Sequence, residues 1–127
     1  MQLLVPDALL VTIFLGANDA VLPDGTSSRQ YVPLSDFRSN IEALVAAAKA
    51  ASAQNIIIIT PPPVDEAARV AINKGLHGSN AKDTAERSNE NTGLYAAACV
   101  SVCLPAHCQP PAVLLHCVCS LCLWWHP

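Results

Sequence analysis

No Asp, Glu, Lys or Arg lies beyond residue 100 of this 127-residue chain, yet that last stretch holds five of the six cysteines, three of the four histidines and both tryptophans. Two different kinds of sequence are joined here. Basic residues are also scarce: seven Lys and Arg against ten Asp and Glu give a net charge of -3, and they form no cluster. That balance sets nucleic acid aside as a partner. No apolar run is long enough for a membrane span, since the longest, Ala112 to Trp125, falls short of the roughly 20 residues required and contains His116. A secretory leader also lacks its signs, with no basic segment at the start and Pro6 and Asp7 interrupting the apolar run, so a cytoplasmic location is expected.

What is present before residue 100 alternates strand and helix signals, as a parallel sheet with covering helices does. Leu9 to Leu15 reads as a first strand. After the turn-rich Pro23-Asp24-Gly25-Thr26, Ser35 is expected to cap a helix with Phe37, Ile41, Leu44, Val45 and Ala48 at helical spacing. The β-branched run Asn55 to Thr60 reads as a strand covered on both faces, stopped by Pro61-Pro62-Pro63. Further helices are expected from Asp65 to Asn73, and from Ser88 to Val102 with Leu94, Tyr95, Ala98 and Cys99 along one face; Gly75 to Arg87 reads as loop. The length suits one domain.

The densest chemistry lies at Val11 to Ala20, an apolar strand that ends in Gly16-Ala17-Asn18-Asp19. Open α/β sheets bind ligands at the carboxyl edge of their strands, which is where this exit would stand. Gly16 supplies a tight turn, and the carboxamide of Asn18 can donate to an oxygen that gains negative charge during acyl transfer. A turn asparagine tolerating a left-handed backbone is the plainer reading of Asn18.

Gly16-Ala17-Asn18-Asp19-Ala20, then Tyr31-Val32-Pro33-Leu34, then Ile59-Thr60-Pro61-Pro62-Pro63, and finally Ala85 to Tyr95 stand in an order and spacing that resemble the GDSL, or SGNH, ester hydrolases. The likeness is to the isoamyl acetate-hydrolysing esterase branch, of plant or green-algal type, and covers about residues 5 to 100. It implies an α/β fold, part of a flavodoxin-like three-layer α/β/α domain over residues 1–100; residues 101–127, beyond the likeness, read by composition as an irregular Cys-rich tail. It further implies serine-based hydrolysis of a small ester with no cofactor. That family's site combines a Ser in Gly-Asp-Ser, a Gly, the Asn of Gly-x-Asn-Asp and a late Asp-x-x-His. Only the third block stands in this chain, with Asn18 as the oxyanion-hole donor and Gly16 and Asp19 in support. The expectation is an internal piece of a catalytic domain that does not turn over by itself.

Other residues offer weaker substitutes. His77 ends a Lys74-Gly75-Leu76-His77 run like the family's last block, but Lys74 stands where an orienting Asp belongs, so an exposed loop histidine is expected. Ser35, Ser39 and Ser88 fall in helix-start or helix-face contexts. Asp65 and Glu66 form a carboxylate pair, though acids are common at helix N-termini for reasons of the helix dipole.

The tail gathers Cys103, His107, Cys108, His116, Cys117, Cys119 and Cys122, soft ligands at close spacing. They lack the two separated pairs of zinc modules, so no metal site is expected. Uncharged and punctuated by Pro105, Pro110, Pro111 and Pro127, the tail resembles translation of an intron or a shifted frame. A transcript running cleanly through codon 127, with peptides from the tail, would count against a gene-model error. Unpaired sheet edges and apolar tail surface would make the chain poorly soluble. Two further readings stay open: a non-catalytic truncated form acting through a partner, and a metal-binding or thiol-reactive tail.

Overall fold

A computed structural model describes residues 6–25 and 27–103, and the backbone of 114–118. The elements run β1 (Val11–Phe14), α1 (Leu34–Ala50), β2 (Asn55–Ile59), α2 (Glu66–His77), α3 (Asn89–Cys103) and β3 (Leu114–Val118), with single 3-10 turns at Ser28–Gln30 and Gly78–Asn80. The three strands make one parallel sheet in the order β1-β2-β3. Val11 pairs with Ile56 and Phe14 with Ile59, while Asn55 pairs with Leu114 and Ile59 with Val118. The chain is therefore α/β.

One face of this sheet carries the core. Ile13, Ile56 and Ile58 point to it and join Phe37, Ile41, Val45 and Ala48 of α1 and Tyr95, Ala98, Cys99 and Val102 of α3 in a single buried cluster. Burying each large aliphatic or aromatic side chain contributes roughly 1.5–3 kcal/mol, so this cluster is what holds the two helices to the strands. Phe37 and Tyr95 close it with ring centroids 5.0 Å apart. On the opposite face Thr12 and Phe14 are exposed and Ile57 and Ile59 half-buried. β1 is an edge strand among the described residues. Its regular part is shorter than Leu9–Leu15, and Leu9, Leu10 and Leu15 are exposed.

Helix boundaries differ from expectation where local chemistry overrides composition. α1 begins after Pro33, whose ring presets a helix-compatible φ; Phe37 N–H donates to Pro33 C=O at 2.9 Å, and Ser35 Oγ instead donates to Asp36 Oδ1 at 3.2 Å. Ser35 is not the cap. At the other end Ser52 takes a left-handed φ of 59°, and Ala53 N–H donates to Ala48 C=O at 3.1 Å, which closes the helix and aims the chain into β2. Asp65 caps α2 by accepting from Ala68 N–H at 2.9 Å, and α2 continues to His77 rather than stopping at Asn73. Ser88 caps α3 by accepting from Asn91 N–H at 3.1 Å. Leu94 falls off the buried stripe of α3 and is 51% exposed, because Tyr95, Ala98, Cys99 and Val102 set the face that meets the sheet.

Regular structure also enters the stretch read as irregular. α3 continues through Cys103, and Leu114–Val118 add a third parallel strand along β2. An interior edge of five residues offers a row of unpaired backbone groups, and a short apolar segment satisfies it by pairing. The other residues of 101–127 lie outside the described residues.

Candidate functional site

Because β1 and β2 are parallel, their carboxyl ends open on the same edge of the sheet, and the chain leaves each through a rigid turn. After β1 the turn is built on Gly16, at φ 106°, where a Cβ would stand 3.1 Å from Phe37 Cζ and 3.2 Å from Pro61 Cγ. A side chain fits neither the backbone nor the space. Asp19 Oδ2 accepts from Gly16 N–H at 3.0 Å, Ala20 N–H donates to Gly16 C=O at 3.0 Å, and Val21 N–H to Asn18 C=O at 3.1 Å. The loop is therefore braced from within, and Asn18 stands exposed at its tip.

A residue distant in sequence sets the direction of Asn18. Arg87, 8% exposed, donates from Nε to Ala17 C=O at 3.0 Å and from Nη2 to Asn18 Oδ1 at 3.3 Å, and it also reaches Gln30 Oε1. A guanidinium only donates, so it can meet only the oxygen end of the carboxamide, and the NH2 end of Asn18 turns away from it. Burial, and after it the charge of Arg69, push Arg87 below its ordinary value, with Glu86 opposing them. Nothing in composition singled out Arg87. Its only signal was its place in the Ala85 to Tyr95 segment.

Pro61-Pro62-Pro63 after β2 makes the facing wall. Asn89, the first residue of α3, pins its exit: Oδ1 accepts from Val64 N–H at 2.7 Å and Nδ2 donates to Val64 C=O at 2.9 Å. Between the walls lies a cleft of about 570 Å³, with Asn18, Gln30, Pro63, Arg69, Arg87 and Thr92 among the residues lining it. Thr92 is buried, and neither its Oγ1 nor Arg69 Nε has a hydrogen-bond partner among the described residues. Behind the loop, the Tyr95 hydroxyl donates to Val32 C=O, and burial above all pushes its pKa up to about 12.

The remaining candidates fall elsewhere. His77 is exposed at the end of α2. Ser35 and Ser39 line a separate groove between α1 and α3. Asp65 touches the cleft but caps α2, and Glu66 Oε1 accepts from Asn89 N–H at 2.7 Å, which ties the starts of α2 and α3 together. No group of three metal-ligating side chains occurs among the described residues, and no helix there is long and apolar enough to cross a membrane. Of the tail ligands, the side chains of His107, Cys108, His116, Cys117, Cys119 and Cys122 lie outside the described residues.

A parallel sheet with a braced Gly-x-Asn-Asp turn at its carboxyl edge defines an α/β protein with a cleft at that edge. The sequence profile of the GDSL-like Lipase/Acylhydrolase family matches residues 3–108, and the chain belongs to that family. It is similar to a GDSL esterase/lipase of Arabidopsis thaliana, 45% identical over 92 residues, which are 72% of this chain and 38% of that protein. A second such protein of Arabidopsis thaliana is 45% identical over 93 residues, 72% of this chain and 37% of its own length. The isoamyl acetate-hydrolyzing esterase 1 homolog of Rattus norvegicus is 38% identical over 96 residues, again 72% of this chain and 35% of its own. The chain spans somewhat more than a third of each of these curated relatives. The family match runs past Val100, where the motif likeness ends.

Proposed function

We propose that this segment is the oxyanion-binding and cleft-forming part of a serine hydrolase of small carboxylic esters. The observation that supports it best is the Arg87 bond to Asn18 Oδ1, which leaves the carboxamide NH2 as the end of Asn18 able to meet a ligand. When a serine Oγ adds to an ester carbonyl carbon, the carbonyl oxygen takes the negative charge. A fixed N–H aimed there stabilises the transition state by roughly 2.7–4 kcal/mol in comparable sites. Gly16 and Asp19 act by holding the loop that carries Asn18. Among these 127 residues there is no Gly-Asp-Ser and no Asp-x-x-His, so the chain alone does not turn over.

The test joins this chain to the Gly-Asp-Ser and Asp-x-x-His segments of the Arabidopsis relative that is 45% identical. The 127-residue chain is expected to leave p-nitrophenyl acetate at the blank rate, and the joined protein to cleave it. A joined protein that folds, as judged by circular dichroism, and still fails to cleave short-chain esters would overturn the reading.

A further inference from the structure

We propose that the cleft beside Asn18 contains a subsite for a carboxylate, held by Arg69 with the Thr92 hydroxyl and backed by Arg87. This rests on reading the cleft as the substrate site, and it extends that reading to the substrate's chemistry. Two guanidinia line one cleft in a chain whose net charge is -3. They are close enough for the charge of Arg69 to act on Arg87, whose pKa burial and then Arg69 push down while Glu86 opposes them. Arg87 is engaged with Ala17, Asn18 and Gln30. Arg69 is not so engaged at Nε, which is buried with no hydrogen-bond partner among the described residues.

Thr92 carries the second, independent observation. The residue is 4% exposed, lines the same cleft and has an Oγ1 with no hydrogen-bond partner among the described residues. A buried donor without a partner is uncommon in folded proteins and calls for a ligand or solvent atom to meet it. Both residues line the cleft, and a guanidinium beside a hydroxyl matches an acceptor-only group with two oxygens. Asp65 is the one carboxylate among the lining residues, and its Oδ1 is taken by Ala68 N–H. Among the described lining residues the charge is two positive against one negative, and Glu86 also acts on Arg87, which suits a monoanion better than a phosphate dianion. A carboxylate can come from two sources: the acid released by ester cleavage, or a half-ester substrate with a second carboxyl group.

The joined protein, with the serine of its Gly-Asp-Ser segment changed to alanine so that it does not turn over, is titrated with sodium acetate and with monomethyl glutarate at ionic strength held constant with sodium chloride, and followed by NMR. Saturable binding is expected, weakened about ten- to a hundredfold in Arg69→Gln and less in Thr92→Val. Arg69→Lys, which keeps the charge and loses the planar fork, is expected between the wild type and Arg69→Gln and guards against a folding artefact. Tighter binding of monomethyl glutarate than of acetate identifies a half-ester substrate, and equal binding identifies the released acid. Shifts no larger than those from sodium chloride, or equal binding by Arg69→Gln, overturn the proposal. If the joined enzyme cleaves neutral esters while no carboxylate binds, only this inference fails. If carboxylates bind and the joined enzyme is inert, only the hydrolase reading fails.

Discussion

Arg87 and Asn18 stand 69 residues apart in the chain and meet with the guanidinium Nη2 3.3 Å from the carboxamide Oδ1. Because the same guanidinium also holds Ala17 C=O and Gln30 Oε1, it ties the turn after β1 to the segment before α1. Arg87→Met removes all three donations and frees the Asn18 carboxamide to flip. In the joined enzyme, kcat for a neutral ester is expected to fall about ten- to a hundredfold with KM little changed, part of the loss seen when an oxyanion donor is deleted. Arg87→Lys keeps the charge without the fork and should fall between. Steady-state kinetics of the two variants checks this.

Gly16→Ala tests the turn itself. The residue sits at φ 106°, and the new methyl would meet Phe37 and Pro61 at 3.1 and 3.2 Å. Backbone strain of this kind costs on the order of 1–3 kcal/mol, so thermal unfolding is expected several degrees lower. An unchanged midpoint would mean that the loop relaxes freely.

Tyr95 predicts an alkaline limit to stability. Its hydroxyl is buried against Val32 C=O and its pKa is raised to about 12, above the ordinary value of 10.0. The folded state therefore holds this proton more tightly than the unfolded state. The stability this provides is full below pH 10 and is lost as pH rises from 10 through 12, amounting to about 2–3 kcal/mol. Denaturant midpoints measured across that range should fall in the wild type and fall less steeply in Tyr95→Phe.

Much of this was legible where local pattern and tertiary role agree. Phe37, Ile41, Val45 and Ala48 keep helical spacing and are buried, and the Asn55 to Ile59 run forms its strand. Asp19 bracing Gly16 is a contact over three residues, within reach of motif reading. Arg87 was not legible because its partners are far away in sequence and a polar loop gives no periodicity. Leu94 and Ser35 misled for a related reason. Spacing places Leu94 beside the core stripe but not in it, and Pro33 starts α1 before Ser35 can cap it. The third strand drew on the open edge of β2, a demand that only the assembled sheet expresses.

The most direct test of the central claim is kcat for p-nitrophenyl acetate in the joined enzyme carrying Asn18→Ala. The account predicts a fall of about 10²–10³ in kcat with KM nearly constant, because an exposed loop donor acts on the transition state rather than on substrate binding. A variant that turns over at the parental rate would contradict the assignment of Asn18 as the oxyanion donor.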